Sequence, residues 1–83
     1  MSTVDEFGII PVARGLQGKL LVQKEIVFPT EREARRAGEI FAQVLGGAVA
    51  FRRITDPEEG WVGQATIIGR YGVMAETSSD QQI

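Results

Sequence analysis

One segment of this chain is patterned as a helix, and the strand-like runs around it present two apolar faces for that single helix to cover. Thr30 and Glu33 stand at the T-x-x-E spacing of a capping box, with Phe28 and Pro29 just before them. Ala34, Ala37, Ile40, Phe41, Val44 and Leu45 follow at three- and four-residue steps, an apolar stripe of period 3.6. Arg32, Arg35, Arg36, Glu39 and Gln43 fall on the opposite side, and Glu31 and Arg35 form a favourable i,i+4 pair. Gly46-Gly47 is a natural stop, because glycine accepts the left-handed backbone that closes a helix. The spacing predicts a helix over residues 30–46.

The flanking runs read as strands. Lys19–Phe28 is rich in Leu, Val and Ile, and A-V-A-F-R-R-I-T over 48–55 follows the helix directly. Asp56-Pro57-Glu58-Glu59-Gly60 is a turn in which proline presets φ and glycine supplies a positive one. Trp61–Tyr71 then returns as the second arm of a hairpin. Gly8–Ala13 is a shorter candidate that Pro11, unable to donate to a ladder, confines to a sheet edge. The loop 14–18 permits an antiparallel hairpin, and the strand–helix–strand step favours a parallel crossover. These connections predict an α+β fold: a two-layer ββαββ domain, a four-stranded mixed sheet with one helix across one face. The whole chain, 1–83, is expected to form one domain, with an ordered core over about 8–72 and a polar tail over 73–83.

Alternation assigns the faces. In the second strand Leu20, Val22, Ile26 and Phe28 point one way, while Leu21 and Val27 point the other. Val49 and Phe51 oppose Ala48, Ala50 and Ile54, and Trp61, Ala65, Ile67 and Tyr71 oppose Val62, Thr66 and Ile68. Neither face is polar, and contiguous apolar patches mark interfaces. A second copy of the chain is therefore expected on the uncovered face or on an edge, as a two-fold dimer through Leu21, Val27, Val62, Ile68 and Trp61. Trp61 fits equally a strand-end core position and a dimer anchor.

Chemistry is restricted by what is missing. The 83 residues include no cysteine and no histidine. That excludes disulfides, a thiolate nucleophile, Ser-His or Cys-His pairs and the usual zinc and haem ligand sets. No catalytic residue, cofactor or metal is expected, and a non-enzymatic role is favoured. An acidic start without basic residues and the lack of an apolar run of 18 or more point to the cytoplasm, away from membranes.

Three constellations remain. Gly15-Leu16-Gln17-Gly18-Lys19 resembles a phosphate-gripping turn, but lacks P-loop spacing and fits a hairpin better. Asp56, Glu58 and Glu59 crowd one turn without the pattern of a calcium loop. Residues 14–54 carry eight basic against four acidic side chains, although the chain as a whole bears a net charge of −2. Arg32, Arg35, Arg36, Arg52 and Arg53 are thus the candidate contacts for nucleic acid or another anion, with Trp61 or Tyr71 to stack on bases. Solvated charge, with ion pairs to Glu58, Glu59 or Glu76 of a second copy, is the plainer account. The expected function is a homodimeric module acting through contact with an unidentified protein partner. The alternatives are a nucleic-acid-binding accessory protein, and an enzyme or anion binder with its site in a cavity at the dimer interface, lined by Arg70 or Arg53 and a glutamate; Glu25 and Glu39 are conceivable acid–base groups if buried, and nothing in the spacing singles one out.

The run F-P-T-E-R-E-A-R-R-A-G-E-I-F-A, followed by A-V-A-F-R-R-I-T-D-P-E-E-G, resembles small uncharacterised bacterial proteins of about this length. The likeness spans roughly residues 19–71. It implies a shared fold and brings no active-site residues with it.

Overall fold

Two eleven-residue strands form the spine of the molecule. In a computed structural model, which describes residues 2–75, β1 (Val4–Arg14) lies antiparallel to β4 (Gly46–Asp56) in an unbroken register from Val4↔Thr55 to Ala13↔Gly46. β1 continues through a tight turn at Leu16–Gly18 into β2 (Leu20–Val22) and β3 (Ile26–Phe28), which pair in succession with its outer side. Helix α1 (Glu31–Leu45) then crosses to β4, whose other side takes β5 (Trp61–Val62) and β6 (Thr66–Gly72). One helix packs on one sheet, as the pattern predicts, but the sheet has six strands rather than four and every pairing is antiparallel. The expected mixed sheet fails because β1 lies between β3 and β4. The crossover strands are parallel to each other without being neighbours.

Pro11 sits in a central strand, contrary to the edge position that its missing N–H suggests. Its carbonyl accepts from Gln23 N at 2.9 Å, so its backbone polar groups face the β2–β3 side. There β2 ends at Val12↔Val22 and β3 begins at Ile9↔Ile26, with one more residue on the outer strand than on β1. This bulge at 23–25 is where a ladder bond from residue 11 would otherwise fall, and bulges are one of the places a sheet tolerates proline. The extra residue also shifts the alternation. Leu20, Val22 and Val27 share one face, while Leu21, Ile26 and Phe28 share the other, a different division from strict alternation through 19–28. β4 carries no such interruption against β1, and its faces are as read.

The helix is bounded as the sequence predicts. Thr30 Oγ1 accepts from Glu33 N at 3.2 Å and donates to Glu33 Oε2, and Gly46 closes the helix with φ 125° and an N–H to the Ala42 carbonyl. Its rotation is not as predicted. Ile40 and Val44 are exposed, while Ala34 and Gly38 are buried. Small residues let the helix approach the sheet closely over Ala50 and Ile9, with Phe7, Phe28, Ala37, Phe41, Ile68 and Tyr71 around them. Gly38 lies against the Tyr71 ring, where an added Cβ would meet Cε2 at 2.7 Å. Fully burying a side chain such as Ile9 contributes roughly 1.5–3 kcal/mol.

The sheet extends beyond the expected ordered core at its N-terminal end, starting at Val4 rather than Gly8, and its last strand ends at Gly72. Beyond β6, Val73 is buried, and its Cγ2 occupies the space a side chain at Gly47 would need. The remainder of the predicted polar tail, 76–83, lies outside the described residues.

Candidate association surface

The sheet face without the helix is closed at its centre. Gly8 and Phe51 are opposite one another, and the Phe51 ring lies so close over Gly8 that it is only 1% exposed. The Arg53 guanidinium covers the ring from outside, 4.8 Å from its centroid. Arg53 is itself held from two sides. Nε donates to Glu6 Oε1 at 2.6 Å, and Nη2 donates to Glu25 Oε2 at 2.6 Å. Glu25 belongs to the bulge, so the irregularity that accommodates Pro11 also delivers this carboxylate to the open face. The hydrogen bonds to Glu25, then Glu6, raise the Arg53 pKa against the opposing effect of desolvation.

What remains apolar and exposed on that face lies at its margins. Along β2 and β3 stand Leu20, Val22 and Val27, with Val22 72% exposed. At the far corner are Val4 and Val62, both registered on Thr55, and Ile67 lies opposite Phe51 along β6. The five residues expected to form an association surface are therefore divided. Val27 belongs to the β2–β3 margin and Val62 to the β5 corner, both on the open face. Leu21 is opposite Ala13 on the helix side, Trp61 is opposite Asp56, and Ile68 packs on the core beneath the helix. Strict alternation directs Leu20, Val22 and Ile67 away from this face, and the bulges account for the difference. Ile40 and Val44 add a smaller exposed pair on the helix.

The arginines do not form one cluster. Arg52 and Arg53 project to opposite sides of β4, and Arg52 pairs with Asp5 at 3.1 Å. Arg35 pairs with Glu31 at 2.7 Å, an attraction that raises its pKa, first through that hydrogen bond. The carboxylates involved are in the same chain: Glu31 is the i,i+4 partner expected from the spacing, whereas Asp5, Glu6 and Glu25 come from β1 and the bulge; Glu76, expected to pair with a second copy, lies outside the described residues. Among the described residues, Arg32 and Arg36 on the helix have no ion pair. Arg70 lies opposite Val49, exposed on the open face, and Glu39 borders a groove beside Tyr71.

The loop 63–65 between β5 and β6 leaves an open cleft of about 430 Å³, lined by Arg52, Arg53, Trp61, Gln64, Thr66 and Ile68. Both of its cations already hold carboxylates, and Trp61 is half-exposed at its rim. The acidic turn is equally committed. Asp56 is buried, and its Oδ1 accepts from the backbone N–H of Glu58 and Glu59, both at 3.1 Å. That is an Asx-type turn, the local role in which aspartate is favoured. Among the described residues no group of three potential ligands could hold a metal ion, and no helix is long and apolar enough to cross a membrane. The Gly15–Lys19 segment is a hairpin turn, with Gly15 N donating to the Lys19 carbonyl at 2.6 Å and Gln17 and Gly18 at positive φ.

Comparison with protein-family models, with curated proteins and with solved structures finds no match. The resemblance over residues 19–71 therefore gains no family from these comparisons.

Proposed function

We propose that this chain is a non-catalytic module that self-associates as a homodimer and acts through contact with a protein partner. The observation that carries the reading is the distribution of exposed apolar side chains. Leu20, Val22 and Val27 line one margin of the sheet, and Val4, Val62 and Ile67 lie toward the other, around a centre that the chain has closed for itself. Such margins on a domain this small fit burial by protein, since a small domain supplies limited core of its own. The charged groups support the same reading. Arg35, Arg52 and Arg53 are engaged by carboxylates of their own chain, which leaves less charge for phosphate than the sequence offers.

Sedimentation equilibrium tests the reading. The expected result at micromolar concentration is a mass near twice 9.1 kDa. A mass of 9.1 kDa under those conditions overturns the homodimer. Binding of a labelled oligonucleotide at about 50 mM salt, where phosphate contacts are strong, would instead favour the arginines.

A further inference from the structure

The two outer edges of the sheet differ in kind. Along one, β2 and β3 offer three residues each, interrupted by the 23–25 bulge and accompanied by Lys19 and Lys24. Short strands, bulges and lysines are the devices that keep an edge from pairing with another chain. Along the other, β6 runs for seven residues, T-I-I-G-R-Y-G, with a single charge at Arg70 and no proline. Its one irregularity lies in the register with β4, opposite Ala50 and Phe51. Among the described residues β4 is its only strand partner. In an antiparallel pair the backbone groups of successive residues point alternately toward and away from the partner. About half of the β6 amides and carbonyls therefore point outward.

We propose that β6 is the seam of the homodimer: two copies pair their β6 edges antiparallel across a two-fold axis, joining two sheets into one. This rests on the homodimeric reading above and names its interface. An identical strand is the occupant favoured by symmetry, because an antiparallel pair of equal strands is self-complementary. The flanks of the edge suit the same operation. On the open face, Ile67 is 39% exposed beside the edge. On the helix side, Gly38 rests on Tyr71, so α1 passes β6 at this level. A groove of about 390 Å³ between Glu39, Ala42, Gln43, Tyr71 and Gly72 borders the same edge.

Residue-resolved amide hydrogen exchange on the full chain, at concentrations spanning dissociation, tests the seam. In a monomer only alternate amides of the regular stretch 69–72, beyond the irregularity, are protected; in the proposed dimer consecutive ones are. The expected result is consecutive protection that reverts to alternation on dilution, the outward amides exchanging at least about tenfold faster. A dimeric mass with alternating protection overturns the seam and leaves the homodimer standing. A monomeric mass throughout overturns both. Consecutive protection indifferent to dilution also overturns the seam, since the edge is then covered within one chain. Ile67→Lys is expected to shift the mass toward monomer and Val22→Lys, on the opposite margin, to leave it unchanged. The reverse pattern places the interface on β2. Should Ile67→Lys unfold by circular dichroism, the exchange measurement on the unaltered chain decides.

Discussion

Gly8→Ala introduces a methyl group into a place at the centre of the open sheet face that has no room for it. The new Cβ would lie 2.6 Å from Phe51 Cζ, 2.9 Å from Phe51 Cε2 and 2.7 Å from the Ile26 carbonyl oxygen. Carbon atoms rest at about 3.5–4.0 Å, so the ring must withdraw by about 1 Å. It withdraws into the Arg53 guanidinium, which Glu6 and Glu25 hold in place. Backbone entropy alone favours alanine over glycine within a strand by roughly 0.5–1 kcal/mol. Overpacking a tight site costs about 1–3 kcal/mol. The steric effect wins, and the expected outcome is a net loss of about 1–2 kcal/mol. For a domain of this size that lowers Tm by roughly 5–15 °C. Urea and thermal melts at one fixed chain concentration measure it, since dimerisation makes stability concentration-dependent. A Gly8→Ala protein as stable as the parent, or more so, refutes the closed face. A second arm isolates the cause. In a Phe51→Leu background the cost of Gly8→Ala should fall by about 1 kcal/mol, the rest persisting through the Ile26 carbonyl.

Other expectations follow from the same contacts. Arg53→Met keeps an apolar stem over Phe51 but abandons Glu6 and Glu25, and should lower stability by about 1–2 kcal/mol. Arg52→Met, whose half-exposed pair with Asp5 is screened by water, should cost less than about 1 kcal/mol; equal urea midpoints for the two variants refute the clamp. Thr30→Ala removes the acceptor for Glu33 N and should cost about 1 kcal/mol, read as a lower melting temperature. The Arg53 pKa is raised in the folded chain, so its contribution is fully present below the ordinary arginine value and lost only as pH rises through the raised one. The stability difference between the parent and Arg53→Met should then stay constant from about pH 7 to 10 in urea melts. A difference that closes within that span shows that another group carries it.

The parts of the fold legible in the sequence are those fixed by local periodicity. The Thr30 cap, the Gly46 stop, the alternation of β4 and the Asp56–Gly60 turn each depend on residues a few positions apart. Bulges break that legibility. One extra residue at 23–25 reverses the faces of Ile26, Val27 and Phe28, and a similar shift beside Ala50 and Phe51 separates Ile67 from Tyr71. The helix rotation was hidden for another reason. Ile40 and Val44 look like core by hydropathy, yet close packing on Ala50 favours Ala34 and Gly38. Of the candidate site, the local pair Glu31–Arg35 is legible in the spacing, but the partners of Arg52 and Arg53 are not. Asp5-Glu6 and Arg52-Arg53 lie 47 residues apart, and matching the acidic dipeptide to the basic one becomes informative only once β1 and β4 are known to pair.

Pro11 and the bulge opposite it have a consequence for how this chain can change over generations. Deleting one residue from 23–25 would leave both halves of the outer strand facing as they do now, but would run a continuous ladder past a nitrogen with no proton. Replacing Pro11 alone would create a proton with no acceptor in line. Made together, the two changes restore an ordinary strand pair. A length change at one site is thus coupled to a residue identity a dozen positions upstream, and related chains should gain or lose the two as a unit.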